Sequence, residues 1–121
     1  MAPQPDWRTE DVDALIEAFV GLDTVDRASA FLRDLCTLGE LHDMAQRWAV
    51  VRLLDAGLHY GEISRQTGAS TATITRIASW LRHGEGGYRA VLEQLKARAA
   101  GAAKAIGVAT GPSRYPAGTE R

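Results

Sequence analysis

Residues 60–81 read YGEISRQTGASTATITRIASWL, and the reading of this stretch decides the fold. Gly68 divides it into a first segment of barely two turns and a longer second segment opening at Ser70. Two helices that cross steeply need a small turn residue free to take a positive φ, and Gly68 supplies one. The first helix places apolar Ile63 at the crossing, with the small Ser64 beside it. In the second, Ile74, Ile77, Ala78 and Leu81 recur at i, i+3, i+4 and i+7, an inward apolar face. Ser70 stands where an N-cap belongs. The spacing predicts a helix-turn-helix over about residues 60–82.

The outward face of the second helix carries Thr71, Thr73, Thr75, Arg76 and Ser79, rich in hydroxyls and free of acids. Three β-branched threonines in five positions are poor helix chemistry unless the surface has another use. Nucleic acid is that use. The first turn of a helix points unpaired N–H groups and a positive dipole end at a phosphate. Hydroxyls reach base edges or phosphates, threonine methyls touch the thymine methyl, and Arg76 suits a guanine edge or a phosphate. In the usual docking the start of the second helix enters the major groove, so Ala69, Ser70, Thr71, Ala72 and Thr73 come nearest the bases. Thr75 and Arg76 extend this face, and Arg65 and Arg47 are flanking phosphate contacts, with Arg52 a further outward arginine. The bland alternative is a helical hairpin whose hydroxyls only cap and solvate.

Upstream, punctuation residues mark three more helices. Residues 9–21 carry Val12, Leu15, Ile16 and Phe19 on one stripe, three acids in the first turn, and Gly21 at the end. Residues 24–36 put Ala28, Phe31, Leu32 and Leu35 on one face, with Asp23 or Thr24 as N-cap. Thr37-Leu38-Gly39-Glu40 has the form of a capping box and opens the longest helix, which runs to Gly57. Its Leu41, Met44, Ala45, Trp48, Val51 and Leu54 keep helical spacing, and Val50 and Leu53 widen the arc. So apolar a helix in so small a chain predicts a core shared with a second copy. His59 stands as a candidate N-cap for the short helix after it, and Trp48 and Trp80 are read as packing. Downstream, HGEGG at residues 83–87 breaks the chain before a last amphipathic stretch, residues 88–99, faced by Val91, Leu92 and Leu95.

The domain expectation is an extension over residues 1–8, a helical domain over 9–100 and a flexible tail over 101–121, the tail too rich in Gly, Ala, Pro and Thr to bury much surface. No strand-like alternation is sustained, so the fold class is all-α. At 121 residues, 45% hydrophobic and 24% charged, the chain has material for one core. The net charge of −1 conceals a division: residues 6–43 carry −7, residues 44–100 carry +4 and residues 101–121 carry +2. Polyanion binding is therefore permitted in the second half, with the acidic first half steering DNA towards it. Nothing approaches a membrane span, and no apolar leader opens the chain, so a cytoplasmic protein with no membrane partner is expected. The single Cys36 forms no intramolecular disulfide, and His42, His59 and His83 lack ligand spacing, so no metal is expected. A phosphate loop, a nucleophile with its base and paired carboxylates are all missing, which argues against an enzyme or a cofactor.

Gly-Ala-Ser-Thr-Ala-Thr-Ile-Thr-Arg at residues 68–76, with AQRWAVVRLLDAG upstream and HGEGGYRAVLEQL downstream, resembles the Trp repressor superfamily and within it the YerC/YecD type. The resemblance covers about residues 10–97. It implies a six-helix fold, an intertwined homodimer, and paired helix-turn-helix heads that bind operator DNA and regulate transcription as a repressor. It also implies a corepressor pocket formed by two arginines that hold tryptophan. One matches Arg76; the other falls at Gln46, and the adjacent Arg47 points about 100° away. Two small residues of that pocket are Ile77 and Trp80 here. Gln46, Arg76, Ile77 and Trp80 thus form a vestigial pocket, and no tryptophan or other cofactor is expected in it; a different effector stays open. Gly61 stands at a basic base-reading position of the family, which implies a different operator. The competing function is a protein–protein module that uses the same shape without nucleic acid; it would need apolar anchors on the outward face, where this chain has Thr and Arg.

Overall fold

The structure, a computed structural model, describes residues 6–106. Six helices follow in order: α1 (Glu10–Val20), α2 (Val25–Leu35), α3 (Leu38–Asp55), α4 (Tyr60–Thr67), α5 (Thr71–His83) and α6 (Gly87–Ile106). No strand occurs among the described residues, so the chain is all-α. No described helix is long and apolar enough to cross a membrane.

The helix starts are set by side chains close in sequence. Thr9 caps α1 by accepting from the Val12 N–H, and Thr24 caps α2 by accepting from that of Arg27. At α3 the capping box closes in both directions: Thr37 Oγ1 accepts from the Glu40 N–H at 3.1 Å, and the Thr37 N–H donates to Glu40 Oε1 at 2.9 Å. His59 occupies the N-cap position of α4, but its side chain makes no capping bond.

The chain divides into two compact units, one ending at Asp43 and the other starting at Met44. In the first, Phe19 and Phe31 meet edge to face with centroids 5.6 Å apart. No described residue of this unit is fully buried; Leu15, Ile16, Phe19, Val20 and Leu35 are all exposed.

The second unit holds the core. Val50, Val51, Ile63, Ile74 and Ile77 are its largest fully buried side chains, joined by Leu53, Ala69 and Leu92. Each such aliphatic side chain removed from water contributes roughly 1.5–3 kcal/mol. The inward residues at the crossing are therefore what fix α4 on α5. Asp55, at the end of α3, pairs with Arg89 at 3.3 Å and Lys96 at 2.8 Å, which ties α6 to α3.

The tail expected from residue 101 needs correction. Helix α6 continues through Gly101 to Ile106. The segment AAGAAKA is dominated by alanine, the best helix former, and one glycine costs only about 1 kcal/mol. The rest of the expected tail, residues 107–121, lies outside the described residues, as do residues 1–5 of the N-terminal extension.

Candidate nucleic-acid interface

Helices α4 and α5 and the turn between them form the expected helix-turn-helix. Gly68 takes φ 79° and ψ 0°, the left-handed conformation that lets α4 stop after only eight residues. Its N–H donates to the Ser64 carbonyl at 2.8 Å. The Thr67 hydroxyl donates to the Ile63 carbonyl at 2.7 Å and accepts from the Ala69 N–H at 3.1 Å. At the far end of the motif, Arg82 Nη2 donates to the Tyr60 hydroxyl at 3.2 Å.

Ser70 caps α5: its Oγ accepts from the Thr73 N–H at 3.1 Å and donates to Thr73 Oγ1 at 3.0 Å. Arg76 Nη2 donates to the same Thr73 oxygen at 3.3 Å, so Ser70, Thr73 and Arg76 form one chain of hydrogen bonds along the helix. Thr71, Ala72, Thr75 and Arg76 are exposed and Thr73 is half-buried. The Thr75 hydroxyl donates to the Thr71 carbonyl at 2.9 Å, so its proton is engaged and it faces a partner as an acceptor. Beneath this face Ile74, Ile77 and Ala78 are buried, so sequence and structure agree on which side of α5 points out.

Ala69 differs from the expectation. Its side chain is 3% exposed and belongs to the core, so it cannot touch a base; the turn folds its methyl beneath α5 and the reading face starts at Ser70. Arg65 is exposed but engaged: its Nε donates to Glu62 Oε1 at 3.1 Å and its Nη2 pairs with Glu62 Oε2. Donation from Arg65, and then from Gln66, holds the Glu62 carboxyl below its usual pKa, and the bond to Glu62 raises that of Arg65. Arg47 is exposed on α3.

The four residues assigned to a vestigial pocket differ in their surroundings. Arg76 is bonded to Thr73, and Ile77, 1% exposed, lies in the core. Gln46 reaches the turn, donating from Nε2 to the Thr67 carbonyl at 2.9 Å. Trp80, expected to pack inside, is 51% exposed. It lines an open, mostly apolar groove of about 780 Å³ with Trp48, Gly84, Tyr88 and Val91. Trp48 behaves as expected, half-buried against the core and tilted on Tyr88 with centroids 6.2 Å apart. A Cβ on Gly84 would overlap the Trp80 carbonyl, so the end of α5 needs glycine there. No group of histidine, cysteine and carboxylate side chains able to hold a metal occurs among the described residues.

The bond from Gln46 and the double role of Thr67 escape sequence reasoning. Gln46 and Thr67 lie 21 residues apart, and neither sits in a pattern that signals the other.

The model of the family described as Trp repressor protein matches residues 10–96. The uncharacterized protein YerC of Bacillus subtilis is 37% identical over 89 residues, which make up 74% of this chain and 86% of that protein. A TrpR-like protein from Eubacterium eligens is 38% identical, with a TM-score of 0.70 over 74% of this chain and 92% of that one. A Staphylococcus aureus protein described as a candidate Trp repressor is 32% identical, with a TM-score of 0.69 over 74% of this chain and 90% of that one.

Proposed function

We propose, from the premise that this chain belongs to the Trp repressor family, that it is a sequence-specific DNA-binding repressor of transcription that works as a homodimer and without tryptophan. The family is one of DNA-binding regulators and not an enzyme family. The observation that carries the reading is the exposed face of α5. Ser70, Thr71, Ala72, Thr75 and Arg76 lie outward with no acid among them, over a buried Ile74, Ile77 and Ala78. A face of this chemistry fits the major groove, with Arg76 reaching a guanine edge or a phosphate and the hydroxyls and methyls reading neighbouring bases.

The homodimer is supported by apolar surface that the single chain leaves in water. Phe19 is 42%, Leu38 56% and Met44 39% exposed, large apolar side chains that gain by leaving water. A second copy would cover such faces and set two heads about 34 Å apart, one helical turn of duplex. The absence of a tryptophan site is supported by the engagement of Gln46 with the Thr67 carbonyl and the burial of Ile77.

The deciding experiment is a fluorescence anisotropy titration of duplex DNA over a range of salt. Affinity falls steeply with salt, each neutralised phosphate contributing about −0.9 to the log–log slope. A slope near zero discards the DNA reading. Calorimetry with L-tryptophan gives no heat; micromolar binding refutes that part of the proposal.

A further inference from the structure

We propose that Gln46 is a positioning residue that fixes the turn ahead of α5, so that the chain itself, with no bound effector, sets the recognition helix. The inference rests on the reading of α5 as the DNA-facing helix.

Gln46 is half-buried on α3, and its Nε2 donates to the main-chain carbonyl of Thr67 at 2.9 Å. Thr67 is the last residue of α4, and the final carbonyls of a helix have no partner within it. A side chain from another helix therefore supplies what α4 cannot. The same amide lies over Gly68, where a Cβ would stand 3.7 Å from Nε2. Gly68 is the joint of the motif. With φ at 79° and no side chain of its own, it is the residue whose backbone is least restricted by sterics.

The neighbouring contacts show how a single amide reaches α5. The Thr67 hydroxyl bridges the Ile63 carbonyl and the Ala69 N–H, and the Ala69 methyl is buried. Ser70 follows and caps α5. Thr67, Gly68 and Ala69 are thus held in succession, and α5 starts two residues after the last of them. Without the amide bond, Gly68 keeps its local hydrogen bond to the Ser64 carbonyl, but the turn loses this tie to α3. All the atoms of the tie belong to one chain, so it needs no ligand to form.

Two variants test the inference. Gln46→Glu keeps the shape of the side chain but offers only acceptor atoms at neutral pH, and Gln46→Ala removes the reach altogether. Amide hydrogen exchange is followed at Gly68 and Ala69, with Val51 and Leu92 as core references. Affinity is measured for a duplex that the wild-type protein selects from a random pool, and for an unselected duplex of equal length. In both variants, exchange at Gly68 and Ala69 accelerates by about threefold to tenfold relative to the core, the worth of one hydrogen bond. Affinity for the selected duplex falls by a similar factor. Affinity for the unselected duplex and its salt slope stay unchanged, because the number of phosphate contacts does not alter. A purely stabilising role for Gln46 would leave the ratio of the two affinities as it was. Exchange at the turn that moves no more than the core overturns the tie. Faster exchange with undiminished preference for the selected duplex overturns its role in positioning. A wild-type protein that retains no duplex overturns the DNA reading itself, a result separate from the exchange data.

Discussion

Replacing Glu62 by Gln should strengthen DNA binding by releasing Arg65. Glu62 is the only carboxylate in residues 60–83, and both of its oxygens are bonded to Arg65, so this arginine adds no net charge to the helix-turn-helix. The pair is exposed, with side chains 58% and 36% accessible for Arg65 and Glu62, so losing it costs the fold little. The carboxyl pKa is lowered, chiefly by the Arg65 hydrogen bond and then by that of Gln66. A lowered carboxyl pKa means that the pair is fully formed above the ordinary value of 4.5 and is lost only as pH falls through the lowered one. At neutral pH the wild-type pair is therefore intact. If the freed guanidinium takes one more phosphate, the log–log salt slope steepens by about 0.9, and affinity at 0.1 M salt rises by about eightfold at a constant 1 M intercept. The assay is anisotropy on a random-sequence duplex, which excludes base readout. Arg65→Ala leaves the Glu62 carboxylate uncompensated and should bind no more tightly than wild type, and the double variant, again neutral at this pair, should return to wild-type affinity. An unchanged slope in Glu62→Gln would show that Arg65 does not face the phosphates and would remove it from the interface.

Thr73→Ala and Arg76→Ala should each weaken binding to a selected duplex by about 1–3 kcal/mol, with helicity by circular dichroism unchanged. Unchanged affinity for both would move the reading surface away from this face of α5. Ser70→Ala removes the cap of α5 and should lower stability in urea by about 0.5–2 kcal/mol, independently of DNA. Ala69→Leu overpacks a site that is 3% exposed, so it should destabilise the fold by about 1–3 kcal/mol in the same assay. If instead it altered base preference in a fully stable protein, the burial of this methyl would be wrong.

The helices were legible because their signals are local. Thr24, the Thr37–Glu40 pair and Ser70 each act within three residues of themselves, and these caps read in sequence are found in the fold, whereas His59 makes no capping bond. The two faces of α5 were legible for the same reason: the spacing of Ile74, Ile77 and Ala78 dictates which side is buried. Turn detail was not. Ala69 lies between Gly68 and Ser70, outside any periodic run, and only the path of the chain puts its methyl inward. The engagement of hydroxyls escaped as well, since a helical threonine can bond to the carbonyl four residues before it or to solvent, and Thr75 takes the Thr71 carbonyl.

Apolar periodicity identifies a face that gains by leaving water, but not the body that removes it. Trp80 and Ile77 are both apolar residues of α5, three positions apart; Ile77 is 1% exposed and Trp80 51%. The α1 stripe of Leu15, Ile16 and Phe19 has as regular a spacing as the buried face of α5, yet remains exposed. The difference lies in what each face meets. The inward face of α5 meets α4 through a turn of three residues, a partner that the sequence itself delivers. A face left open by its own chain needs a body from outside, and the homodimer proposed above would supply one. The reading head is therefore specified mainly by short-range sequence, with the Arg82–Tyr60 bond closing the motif and the Gln46 bond tying its turn to α3, whereas the exposed apolar surface acquires meaning only when a second molecule is considered.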